Sequence, residues 1–294
     1  MHRRDFLASA LAAAAPTWGN DVFDIHLHPR RDTHSAMEHL QGSGMTRAAL
    51  LTHLRDEARA QSEIAAHPKA FVWFAATDPK QPNAIELLRK AIESGAKGVG
   101  EMKDHLAADS PEMRKVYDLC AEMKVPITLH FGELPDSKGA GDFNTGFRTF
   151  DKVLKAHPRT KFFGHADFFW ANISADYALG TTYPGGKIQK GGLTDRFLAD
   201  YPNLYGDMSA NSGNNALTRD PEFAKDFLIR HQDKLMFGSD CGCYDGNGAG
   251  GSPLLPRLKG KCTGHDTLEV LKSLTTPAVF RKVTWTNANR IILG

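Results

Sequence analysis

The sequence predicts a single-domain (β/α)8 barrel. Eight short runs of apolar, β-branched or aromatic residues recur along the 294 residues, and helix-like segments lie between them. Strands that alternate with helices in this way favour a parallel sheet that closes into a barrel. A doubly wound open sheet is the alternative. It needs fewer strands and usually carries a glycine fingerprint after the first strand, where this chain has His-Leu-His.

The eight predicted strands have apolar interiors and polar ends. They are 22–28, 48–53, 70–78, 96–103, 126–131, 161–166, 203–209 and 234–240. Helices are predicted where amphipathic segments follow capping residues. They are 83–94, 110–124, 149–157, 194–201, 221–231, 265–273 and 276–290. Two long loops, 170–192 after strand six and 242–251 after strand eight, are expected at the carboxyl end of the barrel, where such folds place their sites.

The first residues differ in character from the rest of the chain. Arg3 and Arg4 precede Phe6, Leu7 and a short alanine-rich apolar run. This order is typical of a twin-arginine-type export signal, and the apolar run is too short to anchor the chain in a bilayer. We therefore expect residues 1–18 to be a signal, residues 19–294 to form the barrel domain, and the protein to be exported to the periplasm or beyond.

Charge and motifs narrow the range of partners. The formal net charge is +2, and no run of basic residues concentrates it, so we expect neither a nucleic-acid partner nor a membrane anchor. The chain has no Gly-x-Ser-x-Gly motif and no P-loop, so no motif supports a catalytic serine nucleophile or the binding of a nucleotide. A small-molecule substrate is expected, and the chain is compatible with a homo-oligomer.

The four cysteines fall into two groups. Cys120 lies in a predicted helix, where a buried, unreactive thiol is expected. Cys241, Cys243 and Cys262 cluster towards the C-terminus. Cys243 and Cys262 flank a glycine-rich loop and are compatible with a disulfide, but the geometry that a disulfide requires does not follow from sequence. A second metal site built from the three thiols is the other interpretation.

The most informative motif is His26-Leu27-His28 at the end of the first predicted strand. Residues two apart in a strand share one face, so the two imidazoles form half of a possible metal site. Four more residues that can bind metal end other predicted strands: Glu101, His130, His165 and Asp240. Because parallel strands end at one edge of the barrel, we expect the six side chains to converge on a divalent ion.

These residues and their flanking words resemble the amidohydrolase superfamily of metal-dependent barrels, and its amidohydrolase-2 branch in particular. The motifs that carry the resemblance are Phe-Asp-Ile-His-Leu-His, Pro-Ile-Thr-Leu-His-Phe-Gly, Phe-Gly-His-Ala and Phe-Gly-Ser-Asp-Cys. The similarity runs from about Asp21 to Leu293. The resemblance implies the fold and a metal-dependent reaction. It does not fix the substrate, since the superfamily hydrolyses amides, lactones and phosphoesters and some members decarboxylate.

The resemblance also implies a set of side-chain ligands for one or two divalent ions. Zinc is the metal expected, with manganese as the alternative. His26, His28 and Asp240 would hold the first ion, and Asp240 would also act as general acid and base. Gly100-Glu101 looks like the strand-four Gly-Glu motif of TatD-type deoxyribonucleases. By that resemblance, Glu101 would bridge the first ion to a second ion held by His130 and His165. In the decarboxylase-like version, one ion is bound by His26, His28, His130 and Asp240, and His165 activates water. An ion pair with Lys103 or Arg30 is the alternative role for Glu101.

The sequence therefore predicts a metal-dependent hydrolase that uses activated water on an amide, a lactone or another ester bond, with Asp240 and His165 as the catalytic residues. A mononuclear non-oxidative decarboxylase and a TatD-like phosphoesterase are the alternatives within the same fold. A binding protein that keeps the metal site without catalysing a reaction is the alternative from another class.

Overall fold

The computed structural model describes residues 17–30, 33–133 and 141–294. Residues 1–16 of the predicted export signal lie outside the described residues.

The eight predicted strands all form, and they build one parallel sheet in sequential order. Their bounds are β1 Phe23–Leu27, β2 Arg47–His53, β3 Phe71–Ala76, β4 Gly98–Met102, β5 Ile127–His130, β6 Phe162–His165, β7 Leu204–Asp207 and β8 Leu235–Met236. Beyond the ladder of β8, the Ile25 N–H donates to the carbonyl of Phe237 at 3.1 Å, and the Asp240 N–H donates to the carbonyl of His26 at 2.7 Å. These bonds join the last strand to the first, and the predicted (β/α)8 barrel is confirmed.

Helices separate the strands and pack on the outside of the sheet. They are α1 Ala36–Ser43, α2 Glu57–Ala66, α3 Ala84–Glu93, α4 Pro111–Met123, α5 Asp151–Ala156, α6 Asp167–Ala171, α7 Leu193–Asp200, α8 Ala210–Thr218, α9 Pro221–Arg230, α10 Thr263–Leu274 and α11 Pro277–Arg281. The chain then continues into two π-helical turns, Lys282–Thr286 and Asn289–Leu293. Among the described residues, no helix is long and apolar enough to cross a membrane.

The predicted boundaries differ from the structure in several places. Strand β8 is shorter than predicted, because from Phe237 onward its backbone bonds leave the β7 ladder for β1 and for the carbonyl of Val283. Four helices had no sequence prediction of their own, namely α1, α2, α6 and α8. Helix α8 reads Ala-Asn-Ser-Gly-Asn-Asn at its start, a poor local helix former, and it forms because its buried face packs against α6 and α10.

Two apolar layers hold the barrel together. The larger lies between the sheet and the helices and includes Leu50, Phe162 and Leu235. The smaller is made by strand residues such as Phe23 and Phe163 together with Ile291 of the C-terminal turns. The carboxyl ends of the strands are thereby left to polar side chains.

The long loops predicted after strands six and eight are present, the first shorter and the second longer than predicted. Helix α6 takes up the start of the first, so the irregular segment is 172–192. Trp170 is consequently a buried helix residue whose indole N–H donates to the backbone carbonyl of Asp207 at 2.8 Å. The segment after β8 runs without regular structure through the cysteine-containing stretch to the short helical turn Pro256–Leu258.

The start of α9 offers a test of local stability. The Asp220 carboxylate accepts hydrogen bonds from the backbone N–H groups of Ile188 and Phe223 and from Lys187. These bonds, led by that from Ile188, hold the pKa of Asp220 below its ordinary value. We expect Asp220→Ala to lower the free energy of unfolding by about 1–3 kcal/mol in urea titrations at neutral pH.

The matched control is Glu222→Ala, which removes an exposed carboxylate that pairs with the same lysine and is expected to cost less than about 0.5 kcal/mol. Because the pKa of Asp220 is lowered in the folded state, its contribution is present above the ordinary pKa of an aspartate, about 3.9, and is lost as the pH falls through the folded value. Equal losses of unfolding free energy for the two variants at neutral pH would show that Asp220 does not hold the loop around Ile188 to the start of α9.

Candidate metal centre

All six side chains predicted to bind metal meet at the carboxyl end of the barrel. Relative to their partners, β1 carries an extra residue between Asp24 and Leu27, and β4 carries one between Val99 and Met102. A bulge of this kind re-aims the side chains that follow it. The strands that supply His26, His28 and Glu101 are therefore irregular at the points where those side chains arise.

His26 is completely buried and held from behind by a carboxylate. Its Nδ1–H donates to Asp207 Oδ2 at 2.6 Å, so Nε2 is the nitrogen that faces the centre. That Nε2 lies 3.9 Å from both Glu101 Oε2 and Asp240 Oδ1, and it has no hydrogen-bond partner among the described residues. A buried, unpartnered nitrogen that faces two carboxylates is suited to a cation.

His28 presents the same ring orientation from the mouth of the barrel. Its Nδ1–H donates to the carbonyl of Leu51 at 2.8 Å. Its Nε2 lies 3.5 Å from Glu101 Oε2 and 3.5 Å from Asp240 Oδ1. The two imidazoles of the His-x-His motif thus direct their free nitrogens to the same two carboxylate oxygens.

Glu101 divides its two oxygens between two pairs of histidines. Oε2 faces His26 and His28, whereas Oε1 lies 2.5 Å from His130 Nδ1 and 3.4 Å from His165 Nε2. Gly100 makes this position possible, since its φ is +141° and a Cβ there would lie 2.9 Å from the Cβ of Thr128. The carboxylate therefore stands between the two pairs of imidazoles.

His165 and Asp240 complete the arrangement. His165 Nδ1 hydrogen bonds with Ser209 Oγ at 2.9 Å, and its buried Nε2 has no partner within the described part of the chain. That nitrogen lies 3.9 Å from Asp240 Oδ2. Asp240 adopts a left-handed φ of +44°, a sparsely populated conformation that non-glycine residues hold mainly at turns and functional sites.

The donor set fits a divalent ion. Three overlapping groups bring their ligand atoms within 4.8 Å of one another: His26, His165 and Asp240; His26, His28 and Glu101; and Glu101, His130 and His165. In a tetrahedral zinc site, nitrogen and oxygen ligands at 2.0–2.2 Å lie about 3.4 Å apart. The contacts of 3.4 to 3.5 Å that His28 and His165 make with the carboxylates match this spacing.

Charge in the centre is unevenly distributed. Burial opposes a charge on His26, but the carboxylates of Asp207, Asp240 and Glu101 outweigh burial and raise its pKa to about 10. Burial, reinforced by the charge of His26, lowers the pKa of His165 well below its ordinary value. His165 is therefore neutral, which is the form in which imidazole binds metal.

Two supporting residues were not found from the sequence. The buried Asp24 carboxylate accepts from the backbone N–H groups of His26 and Ser239 and from the Ser239 hydroxyl, and burial raises its pKa to about 7. Ser209 holds His165. Only their positions in the sequence could have indicated a role at the site. Asp24 lies two residues before His26, and Ser209 lies two residues after the end of β7. Asp207, at the end of β7, is the partner of His26.

The predicted alternative for Glu101 is wrong in this structure. Among the described residues no ion pair joins Glu101 to Lys103 or to Arg30. Arg30 donates instead to the carbonyls of Cys241 and Cys243, at 2.8 and 2.6 Å. Lys103 lies at the mouth, with its Nζ 5.1 Å from the centre of the Phe143 ring.

A cavity of about 310 Å³ opens beside the centre. His28 and Glu101 of the centre line it, and Arg55, Arg59 and Lys103 contribute cationic side chains to its wall. Asp56 and Asp104 also line it, and burial raises the pKa of Asp104 to about 6. The size suits a small molecule, and the wall offers both signs of charge.

The sequence comparison defines the class of protein. The sequence model of the amidohydrolase family matches residues 2–292, which is nearly the whole chain. The chain belongs to the amidohydrolase family. No curated protein matches it in sequence.

Solved structures agree with this fold at low identity. A probable 2-pyrone-4,6-dicarboxylic acid hydrolase from Acinetobacter baumannii, with citric acid bound, is 12% identical over 94% of this chain and 100% of that chain, with a TM-score of 0.60. A TatD homologue from Escherichia coli is 16% identical over 93% and 98%, with a TM-score of 0.58. A dihydroxybenzoic acid decarboxylase from Polaromonas, with bound manganese, is 14% identical over 93% and 97%, with a TM-score of 0.54.

The Asp207–His26 contact yields a test of the metal site. We expect Asp207→Asn to weaken binding of Mn²⁺ by about 10- to 100-fold, because the amide no longer fixes the His26 tautomer or increases the basicity of its free nitrogen. Affinity would be measured by competition with a chromogenic chelator. Manganese is the titrant because carboxylates suit it and thiolates do not. Asp200→Asn, at an exposed position at the end of α7, is the matched control. Unchanged affinity in a folded Asp207→Asn protein would remove His26 from the ligand set.

Proposed function

We propose that this chain is a metal-dependent hydrolase that uses activated water to cleave an amide, a lactone or another ester bond of a small molecule. The observation that carries the proposal is the division of the Glu101 oxygens between His26 and His28 on one side and His130 and His165 on the other. That arrangement favours two ions bridged by one carboxylate. Zinc is the metal expected from these ligands, and manganese is the alternative.

Divalent metal in this centre would lower the pKa of a bound water towards neutrality and polarise the bond to be cleaved. His26, His28, Glu101, His130, His165 and Asp240 would hold it. Asp207, Leu51 and Ser209 keep three of the imidazoles in place through the nitrogens that face away from the carboxylates. This support fixes the geometry before the substrate arrives.

Asp240 is suited to proton transfer. Its side chain is 28% exposed, against 11% for Glu101, so it is the more accessible of the two central carboxylates. Burial nevertheless raises its pKa above the ordinary value of an aspartate. A carboxylate with a raised pKa accepts a proton from water more readily and can pass it to the leaving group. His165, whose Nε2 points to the same carboxylate, would orient the reacting groups.

The cavity favours a substrate with an anionic group. Lys103 lines the wall beside Glu101, and within the described part of the chain it has no carboxylate at ion-pairing distance. An ammonium group at the mouth attracts a carboxylate on the substrate and orients it towards the centre. The Acinetobacter neighbour, named as a probable dicarboxylic acid hydrolase, was solved with citric acid bound, which accords with this choice.

One contact favours a second candidate, a non-oxidative decarboxylase with a single ion. His130 Nδ1 donates to Glu101 Oε1 at 2.5 Å, a hydrogen-bond distance that is too short for two ligands of one tetrahedral ion. If that bond persists when metal is bound, Glu101 orients His130 rather than bridging. The centre then has the ligands for one ion, with His165 left to activate water.

We further propose that the protein is exported, on the basis of the Arg3-Arg4 pattern and the short apolar run after it. Twin-arginine export carries folded proteins, so the barrel would acquire its metal before it crosses the membrane.

The hydrolase proposal is tested by removing the metal and restoring it. Full-length protein would be dialysed against a chelator and assayed on a panel of lactones, amides, esters and phosphoesters, several of which carry a carboxylate. We expect turnover of a lactone, an amide or an ester to fall at least about 100-fold and to return with added Zn²⁺ or Mn²⁺. Turnover that chelation does not reduce would contradict the proposal. Release of carbon dioxide from an aromatic carboxylate, without hydrolysis, would favour the decarboxylase.

A further inference from the structure

A second cluster of metal-binding side chains lies outside the candidate metal centre. It consists of His39 of α1, Cys241 and Cys243 from the segment after β8, and Cys262 immediately before α10. All four residues are at most 5% exposed, and their ligand atoms lie within 4.8 Å of one another. The chain thus brings three thiols and one imidazole from three separate segments into one buried place.

The distances within this cluster match a metal site and not a disulfide. Cys241 Sγ lies 3.2 Å from Cys243 Sγ and 3.7 Å from Cys262 Sγ, and Cys243 Sγ lies 3.5 Å from His39 Nδ1. A disulfide joins its sulfurs at about 2.05 Å, and all four cysteines of the chain are unpaired. Around a tetrahedral zinc, sulfurs lie about 3.8 Å apart and a sulfur and a nitrogen about 3.6 Å apart, given the bond lengths of such sites. Two of the three contacts agree closely with these values, and the third, 3.2 Å between the sulfurs of Cys241 and Cys243, is clearly shorter than the zinc spacing but far longer than a disulfide bond.

The surroundings of the cluster are suited to thiolates. The backbone N–H of His265 donates to Cys262 Sγ at 3.3 Å, at the start of the twelve-residue helix α10. The Arg30 guanidinium bonds to the backbone carbonyls of Cys241 and Cys243, which places a positive charge beside the cluster. Backbone donors and nearby cations stabilise deprotonated sulfur.

We propose that His39, Cys241, Cys243 and Cys262 form a structural zinc site. Four protein ligands of this type close the coordination shell and leave no position for a substrate, which distinguishes structural zinc from catalytic zinc. Thiolates also select zinc over the harder ions that carboxylates prefer. The site differs from the candidate metal centre in its ligands and in its role.

The role follows from what the four ligands connect. The site joins α1, the segment after β8 and the start of α10. The segment after β8 already packs on α1 backbone to backbone, since a Cβ on Gly42 would lie 1.8 Å from the carbonyl oxygen of Asp245. Cys241 directly follows Asp240, whose carboxylate faces His28 and His165. An ion held by Cys241 would therefore fix the irregular backbone from which Asp240 reaches the candidate metal centre.

The proposal is tested by zinc X-ray absorption on the full chain purified from zinc-containing medium. We expect a shell of sulfur scatterers at about 2.3 Å. The candidate metal centre offers only nitrogen and oxygen ligands, so sulfur scattering reports the cysteine site alone. A His26→Ala/His28→Ala variant should therefore keep the sulfur shell, whatever becomes of the proposed hydrolase activity.

Cysteine variants locate the ion. Cys262→Ser should lose the sulfur shell and one zinc per chain in elemental analysis, whereas Cys120→Ser, which removes a buried thiol elsewhere, should keep both. If Cys262→Ser does not fold, the spectrum of the unaltered protein still decides. No sulfur shell in that spectrum would overturn the proposal. An intact mass lower by two hydrogens under non-reducing conditions, indicating a disulfide such as Cys243–Cys262, would also overturn it.

Discussion

The site depends on one constraint, the placement of the Glu101 carboxylate among four imidazoles inside the barrel. A buried carboxylate is costly unless positive charge surrounds it. His130, His28 and His26 offset the cost of burial and hold the pKa of Glu101 well below its ordinary value. The imidazoles in turn need their outward nitrogens satisfied, which Asp207, Leu51 and Ser209 do for three of them. In the candidate metal centre, each polar group is therefore positioned by another.

The barrel provides this arrangement through local departures from regular strand geometry. The extra residues in β1 and β4 lie where His26 and Glu101 arise, and Asp240, in the irregular segment after β8, adopts a left-handed conformation. Asp24 binds the backbone of β1 to Ser239, next to Asp240. The proposed zinc site would hold the chain on the other side of Asp240. The aspartate would thus be fixed from two directions, which is what a residue that transfers protons requires.

The strand-end residues could be predicted from the sequence because the ends of parallel strands meet at one edge and the side-chain period of a strand is two. Their supporting residues could not, because the pairing of Asp207 with His26, or of Ser209 with His165, depends on register and on bulges that no local pattern reveals. The same limit explains why the second cluster could be predicted only in part. The sequence groups Cys241, Cys243 and Cys262, but His39 lies about 200 residues away, in a helix that had no sequence prediction of its own. Arg30 could be placed near the centre, yet its carbonyl partners appear only in the fold.

The most direct test of the bridging role of Glu101 is anomalous diffraction at the manganese edge, from crystals of the full chain grown with Mn²⁺. We expect two peaks about 3.5–4 Å apart, one beside His26 and His28 and the other beside His130 and His165, with Glu101 between them. Glu101→Gln should lose at least one of the two, and Glu93→Gln, at the exposed end of α3, should keep both. A single peak at His26, His28 and Asp240, unchanged in Glu101→Gln, would contradict the account.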